Sequence, residues 1–144
     1  EMGECSSCFA AVTAKLLTDA NPDVQFMAAE SLRDMGEAGT PFAADVANLL
    51  SQSSFHVRVA AASSLEQMGK AASPFAADVA ELLRDAHPSV RTAAAKSLGG
   101  MGEAGAPFAA DVAKLLRDAN PDVRSAAAGS LGDMGGASAC FASK

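Results

Sequence analysis

The chain has 144 residues, a formal net charge of −6 and 49% apolar residues, with no tryptophan or tyrosine. The acidic balance argues against nucleic-acid binding, which needs clustered Lys and Arg side chains. No apolar run approaches the roughly 18 residues of a membrane-spanning helix, so we expect no direct membrane insertion.

A 33-residue period organises the chain from the first residues to the last. The stretch Pro-Phe-Ala-Ala-Asp-Val-Ala-x-Leu-Leu begins at Pro41, Pro74 and Pro107, and degenerate copies begin at Cys8 and Cys140. A fixed period of this size predicts one supersecondary unit stacked on copies of itself. We therefore expect a single domain over 1–144, with full repeats at 8–40, 41–73, 74–106 and 107–139 and partial repeats at 1–7 and 140–144.

Each repeat reads as a first helix, a short turn, a second helix and a loop that contains glycine. Pro41 suits the first position of a first helix, and Thr40 and Ser73 are expected as N-caps. Second helices begin at pairs such as Asn21-Pro22 and end at pairs such as Met35-Gly36, where glycine supplies a left-handed residue. No alternating strand pattern occurs, so the predicted fold class is all-α.

Two apolar stripes follow from the 100° rotation per residue of an α-helix. They recur in every repeat and predict a core between the two rows of helices. In the first repeat the second-helix stripe comprises Val24, Ala28, Ser31, Leu32 and Met35, and in the next repeat the first-helix stripe comprises Phe42, Val46, Leu49 and Leu50.

These features resemble the HEAT-repeat family. The residues that carry the resemblance are the first-helix proline, the turn aspartate and the Val-Arg pair of the second helix: Pro41, Pro74, Pro107, Asp19, Asp85, Asp118, Val57-Arg58, Val90-Arg91 and Val123-Arg124. The short period and the stretch Asn-Pro-Asp-Val-Arg-Ser-Ala-Ala-Ala are similar to the subclass named for phycobilisome lyases. The resemblance implies a right-handed α-solenoid whose second helices line a concave face.

Positions that vary between repeats occupy one arc of the second helix, opposite the core stripe. A constant back and a variable front favour a binding ridge, and drift at solvent-exposed positions is the alternative. Phe26 and Val59 favour the ridge, because neighbouring apolar side chains on an exposed face often mark an interaction site. We expect the binding energy to concentrate on these two. The predicted ridge comprises Phe26, Glu30, Arg33, Phe55, Val59, Ser63, Glu66, Thr92 and Lys96.

The predicted function is a non-enzymatic protein–protein interaction or scaffold module, as a subunit or segment of a larger assembly. The resemblance also implies an alternative, a bilin-lyase-like protein that handles a chromophore. The ridge offers only Lys96 and Arg33 as cations for bilin propionates, and they lie far apart in sequence. A self-assembling structural subunit is the second alternative. We expect no cofactor, and the sequence does not identify the protein partner.

Few residues have the pattern of a chemical site. Cys5 and Cys8 have the spacing of a dithiol redox pair, with Cys8 at a predicted helix start, although two ordinary thiols explain it as well. Cys140 makes the number of cysteines odd, which favours an intracellular, reducing compartment over a disulfide scaffold. His56 and His87 have too few neighbouring ligands for a metal. The row of Asp45, Asp78 and Asp111 resembles a solvated edge, so we expect no catalytic site.

The turn aspartates and second-helix arginines are predicted to pair between neighbouring repeats, as Arg58–Asp85 and Arg91–Asp118. The first repeat has Gln25 in place of the arginine, and the second has Gln52 in place of the aspartate. Both losses fall on one junction, where an amide pair is expected. The contrary arrangement would bond Arg58 to Gln52 and Arg91 to Asp85, each within its own repeat.

The ends and the glycines carry two further expectations. Phe9, Leu16 and Leu17 match interior positions, and Phe141 lies in what reads as the start of a fifth first helix, so we expect a longer array or end-on packing. The second helices contain four interior glycines, each costing roughly 1 kcal/mol against Ala, which predicts a loose C-terminal half. They are Gly99, Gly100, Gly129 and Gly132.

Overall fold

The structure is a computed structural model that describes residues 2–135, with side chains from residue 8 onward. This part of the chain contains helices and no strand, which confirms the all-α class. The α-helices are Met2–Lys15 (α1), Pro22–Asp34 (α2), Ala43–Ala47 (α3), Phe55–Met68 (α4), Ala76–Glu81 (α5), Pro88–Gly100 (α6), Ala109–Lys114 (α7) and Pro121–Met134 (α8).

The long helices α2, α4, α6 and α8 form the body of the molecule. They begin at residues 22, 55, 88 and 121, and each packs on the next along the array. The shorter helices α3, α5 and α7 pack against α4, α6 and α8, and α1 packs against α2. Two rows of helices with one continuous core make an all-α solenoid. The repeat boundaries stay a prediction, and the partial repeat at 140–144 lies outside the described residues.

The starts of the long helices follow the sequence prediction. The Asn21 and Asn120 side chains each accept a hydrogen bond from the backbone N–H two residues on, at 2.8 Å. His87 does the same through Nδ1 at 3.2 Å, and a proline follows each of these caps. In α4 the cap is Ser54, whose side chain makes no capping bond. Three of the four helices therefore begin with a satisfied N-terminal amide.

The first helices differ from the prediction. Instead of one helix from Pro41, the chain forms a 3₁₀ helix over Gly36–Phe42, the short α3, and another 3₁₀ turn over Asn48–Ser51. Thr40 is not an N-cap, because its hydroxyl donates to the carbonyl of Glu37 at 2.8 Å. Ser73 likewise lies inside a 3₁₀ helix, Gly69–Phe75. The glycine "loop" after each long helix is thus helical and continues directly into the next repeat.

A positive φ ends each long helix, as expected from the Met-Gly pairs. The values are +60° at Gly36, +55° at Gly69, +59° at Gly102 and +50° at Gly135. An L-residue with a Cβ is strained in this region, so these four positions favour glycine. The reversal of direction at this point allows the 3₁₀ segment to cross to the other row of helices.

The core contains the predicted stripes and a second row that the stripes did not include. Leu32, Leu65 and Leu98 are fully buried, as expected. Ala29, Ala62 and Ala95 are also fully buried, because this side of each long helix faces the next repeat. Their small side chains let neighbouring helices approach closely, and the carbonyl of Ala29 accepts a hydrogen bond from the Ser64 hydroxyl at 2.8 Å. Ser130 bonds to the carbonyl of Ala95 in the same way.

The interior glycines are of two kinds, which corrects the expectation of a uniformly loose C-terminal half. A Cβ at Gly99 would lie 3.0 Å from the Cα of Ser130, so this glycine permits the close contact between α6 and α8. A Cβ at Gly100 would meet the flexible side chain of Glu66. At Gly129 and Gly132 the same position is open space. Only the last two therefore carry the helix penalty without a packing role.

Candidate partner-binding surface

A groove of about 640 Å³ runs across the face of the long helices in the C-terminal half. Three members of the predicted ridge meet there, Glu66 of α4 and Thr92 and Lys96 of α6. The opposite wall is α8, with Ser125, Gly129 and Asp133. The full lining comprises Glu66, Pro88, Ser89, Thr92, Lys96, Asn120, Asp122, Ser125, Ala126, Gly129, Ser130 and Asp133.

The groove owes its width to small side chains on α8. Gly129 occupies the position at which the three earlier repeats carry Glu30, Ser63 and Lys96. It is exposed, and nothing lies within 4 Å of where its Cβ would stand. The small residues that the sequence analysis counted against this half as a binding surface are thus the ones that open it.

Charges of both signs line the groove, with an acidic excess. Glu66, Asp122 and Asp133 are the carboxylates of the lining and Lys96 is its single cation. Burial raises the pKa of Glu66 above its usual value, the charge of Lys96 works against this rise, and the charge of Asp133 adds to it. The arrangement suits a ligand that brings positive charge to the carboxylates and a negative or polar group to Lys96.

The N-terminal part of the predicted ridge has a different environment. Phe26 and Val59 are half-buried and pack against the core, so they are not the free apolar anchors that the sequence suggested. Glu30 and Arg33 bond to each other, with Nη1–Oε1 at 2.7 Å and Nη2–Oε2 at 3.1 Å. Ser63 is half-buried. A simple 100° count missed this burial because it ignores the side on which the neighbouring repeat lies.

Phe55 is occupied by an aromatic stack. Its ring lies 3.6 Å from the ring of His87 in the next repeat, with an interplanar angle of 10°, and 4.0 Å from the ring of His56. Phe55 stands where the other repeats carry proline. It therefore covers the turn between two repeats instead of pointing freely toward a partner. Within residues 2–135 no group of three or more His, Cys, Asp or Glu residues is placed to hold a metal ion.

The predicted arginine–aspartate pairs form a ladder between repeats. Nε of Arg58 lies 2.8 Å from Oδ2 of Asp85, and Nε of Arg91 lies 2.9 Å from Oδ2 of Asp118. The contrary arrangement is present as well, through a different acceptor: Nη1 of each arginine donates to a backbone carbonyl of its own turn. The acceptors are Gln52 for Arg58 and Asp85 for Arg91, both at 2.8 Å. Each arginine thus ties its own turn to the carboxylate of the next.

The ladder has a gap at the first junction. Gln25 is buried, and its Nε2 donates to the backbone carbonyl of Asp19 at 2.8 Å, as the arginines do in their own turns. Among the described residues no hydrogen bond joins it to Gln52, so the expected amide pair is not formed. A glutamine side chain is shorter than an arginine and has only two donors, so it satisfies the near contact and does not reach the far one.

The ladder holds its carboxylates in the charged form. Burial acts to raise the pKa of Asp85, but the backbone N–H of His87 and the guanidinium of Arg58 outweigh it and lower this pKa. The hydrogen bond from Arg91 and the backbone N–H of Asn120 lower the pKa of Asp118. Charge-assisted hydrogen bonds of this kind are stronger than neutral ones.

The remaining candidate residues show no site chemistry. Cys8 is an exposed free thiol, and the Cys5 side chain and Cys140 lie outside what the structure describes. Asp45 and Asp78 are exposed, and Asp111 lies 3.6 Å from Lys114 on the same helix. Within the described part of the chain, no helix is both long and apolar enough to cross a bilayer.

Comparison with known proteins defines the class, an α-helical repeat protein. Residues 76–141 match the family model described as HEAT repeats. A crystal structure of an engineered protein has a TM-score of 0.74 and 20% sequence identity over 87% of this chain. The chain spans 62% of the length of that protein, and the likeness concerns the fold alone. No curated protein matches the sequence.

The chain carries HEAT-like repeats. The family match begins at residue 76, and the 33-residue period and the recurring long helices extend the same unit through the N-terminal half. The subclass named for phycobilisome lyases stays a prediction. Repeats of this kind present extended surfaces that typically mediate protein–protein interaction.

Proposed function

We propose that this chain is a non-enzymatic protein–protein interaction module that binds its partner through the long-helix groove. The observation that carries the proposal is the groove itself, which crosses three consecutive repeats and joins Glu66, Lys96 and Asp133 on one surface. A surface that crosses repeats is the usual binding device of a solenoid, because it adds small contributions from several units.

The proposed partner is a polar protein segment with clustered Lys or Arg side chains. Three carboxylates and one ammonium line the groove, so a basic segment finds complementary charge along most of it. Lys96 adds selectivity, because a segment with cations only would place one of them against it. The floor of Gly129 and Ala126 leaves room for the backbone of the segment to approach α8.

This proposal moves the binding energy from Phe26 and Val59 to the C-terminal half. Both residues already pack against the core, and their further burial by a partner gains less area than the sequence analysis assumed. Met27, next to Phe26, is exposed, but it lies toward the first end of the array and not in the groove.

The test is a selection from a random peptide library displayed on phage, followed by affinity measurements on the selected peptides. We expect enrichment of basic peptides whose affinity falls with rising salt, since exposed charges are screened within about 10 Å at 0.1 M. Gly129→Gln fills the groove and should weaken them at least about tenfold, which corresponds to one lost side-chain contact of an interface hot spot.

Gly132→Gln is the matched control. It adds the same side chain to the same helix at another exposed glycine, with open space around it and outside the groove lining. Its affinity should equal that of the unchanged chain. Selection of acidic or purely apolar peptides, or equal effects of the two substitutions, would contradict the proposed surface.

A further inference from the structure

The arginine–aspartate ladder ends at both sides of the array with one half of a pair. Arg124 of α8 holds the carbonyls of its own turn at 2.8 and 3.2 Å, as Arg91 does one repeat earlier, and its guanidinium is exposed. Asp19 accepts the backbone N–H of Asn21 at 2.8 Å, as Asp118 accepts that of Asn120. Within the described residues neither Arg124 nor Asp19 has an ion-pair partner.

The apolar contacts between repeats end in the same complementary way. Leu49 and Leu82 are buried, but Leu16, at the same position of the first repeat, is 45% exposed. At the next position Leu17, Leu50 and Leu83 are buried, whereas Leu116 of the last repeat is 42% exposed. The first position thus loses its cover at the front of the array, and the second loses it at the back.

The first helix is more apolar at the front than its later counterparts. Phe9, Val12 and Leu16 follow one face of α1 and are all exposed, with Phe9 at 64%. Val12 stands where the later repeats carry Asp45, Asp78 and Asp111. A terminal repeat that faces only water normally has a polar outer side. This face instead has the composition of a covered one.

We propose that the front of one copy of this chain docks on the back of a second copy, in the register of the internal junctions. Arg124 of one copy then pairs with Asp19 of the next, as Arg91 pairs with Asp118 at 2.9 Å inside the chain. Leu116 covers the front leucine, Leu16. The occupant is a second copy because its back surface repeats the surface that covers every internal front.

The long helices fit the same register. Inside the chain the Ser64 hydroxyl donates to the carbonyl of Ala29, and the close contact of Gly99 lies opposite Ser130. Across the proposed junction Ser31 takes the place of these serines, against the exposed Ala128 and Gly132 of α8. Both positions on α8 are small and open, so they leave the space that the incoming helix requires.

One consequence separates this arrangement from an ordinary dimer. The front and the back are different surfaces, so the contact is heterologous, and each added copy leaves a new free front and back. Association therefore continues beyond two copies as concentration rises. The docking uses the ends of the array and is independent of the groove, so peptide binding in the groove and self-association can succeed or fail separately.

The test is sedimentation of the full chain over a concentration series, with two charge reversals. We expect the average mass of the unchanged chain to rise past two copies. Asp19→Arg and Arg124→Asp each place like charges across the junction and should weaken association at least about tenfold. A 1:1 mixture of the two variants restores opposite charges at every junction and should associate like the unchanged chain.

Asp45→Arg and Arg84→Asp are the controls, because they make the same changes of charge at exposed sites away from the ends. They should leave association unchanged, and circular dichroism checks that all four variants remain helical. Three results would overturn the proposal: a monomer at every concentration, a mass that stops at two copies, or equal association of end variants and controls. Failure of the mixture to recover association would also overturn it.

Discussion

At the scale of the residue, the ladder arginine makes two separable contacts. Gln25 shows what remains when only one is available, because it keeps the bond to its own turn and has no partner in the next repeat. The sequence placed the pairs correctly from spacing alone. It did not show the second contact, because backbone carbonyls of a turn are acceptors that no residue type announces.

The first prediction removes the far contact. Arg91→Gln should lower the free energy of unfolding by about 1–2 kcal/mol, between the values for exposed and buried ion pairs, because Asp118 keeps its partly buried charge and loses its partner. Arg124→Gln is the control, since that arginine has only the contacts with its own turn. Urea unfolding of dilute samples measures both, and equal losses would mean that the ion pair adds nothing.

The second prediction is the response to acid. Asp85 and Asp118 have pKa values below 3.8 in the folded chain, so near that pH the unfolded chain binds more protons than the folded one. Their contribution to stability is complete above the ordinary pKa of Asp and is lost as pH falls through the lowered values. Arg91→Gln should flatten this acid loss in urea unfolding series at pH 2 to 5, and an unchanged pH profile would count against it.

Glu66 has the opposite sign and offers an internal check. Its pKa is raised above 4.5 by burial, so the folded chain binds the extra proton and stability falls as pH rises through this window. Glu66→Gln should remove that fall and leave the acid loss of the two aspartates in place.

The third prediction concerns Phe26, where sequence and structure differ most. Because its ring is half-buried on the core, Phe26→Ser should lower stability by about 2 kcal/mol, less than the loss for a fully buried Phe. The affinity for basic peptides should stay unchanged. Thermal unfolding together with peptide titration separates the two roles, and a loss of affinity without a loss of stability would restore Phe26 as an anchor.

At the scale of the element, the long helices were predictable and the short ones were not. Asn-Pro at the start and Met-Gly at the end are local signals, and both act within one turn of the backbone. Pro41 carried an equally local signal, but it lies in a 3₁₀ helix that already began at Gly36. The geometry there depends on how the chain crosses from one row to the other, which a single proline does not report.

The fourth prediction uses the glycines of the last two long helices. Gly129→Ala should raise stability by about 0.5–1 kcal/mol, because it removes backbone freedom and meets open space. Gly99→Ala should lower stability, since its Cβ would lie 3.0 Å from the Cα of Ser130 and force α6 and α8 apart. Chemical denaturation measures both, and a gain at Gly99 would show that the two helices can separate without loss.

At the scale of the whole molecule, the class was predictable from the period, and the binding surface only in part. The ridge contained Glu66, Thr92 and Lys96, which do share a groove. It also contained Phe26 and Val59, because helix rotation alone cannot tell which side the next repeat covers. The groove itself comes from the absence of side chains at Gly129, and a search for large anchors passes over such a position.

The last prediction treats the array as a chain of junctions in which the first lacks its ion pair. A solenoid's stability is close to a sum of repeat and junction energies, so repair of one junction adds to the whole. Gln25→Arg and Gln52→Asp together recreate the residues of Arg58–Asp85 and should raise the free energy of unfolding by about 1 kcal/mol. Each single substitution leaves a partly buried charge unpaired and should be neutral or destabilising.

The measurement for this repair is a double-mutant cycle by urea unfolding, in which the two substitutions should favour each other by about 1 kcal/mol or more. Hydrogen exchange supplies an independent readout, because the amides of α2 should gain protection while those of α8 stay unchanged. The buried site of Gln25 has the same turn carbonyl that holds the arginines elsewhere, so the longer side chain has its near contact ready. A coupling near zero would show that the ladder records the register of the repeats without contributing to their cohesion.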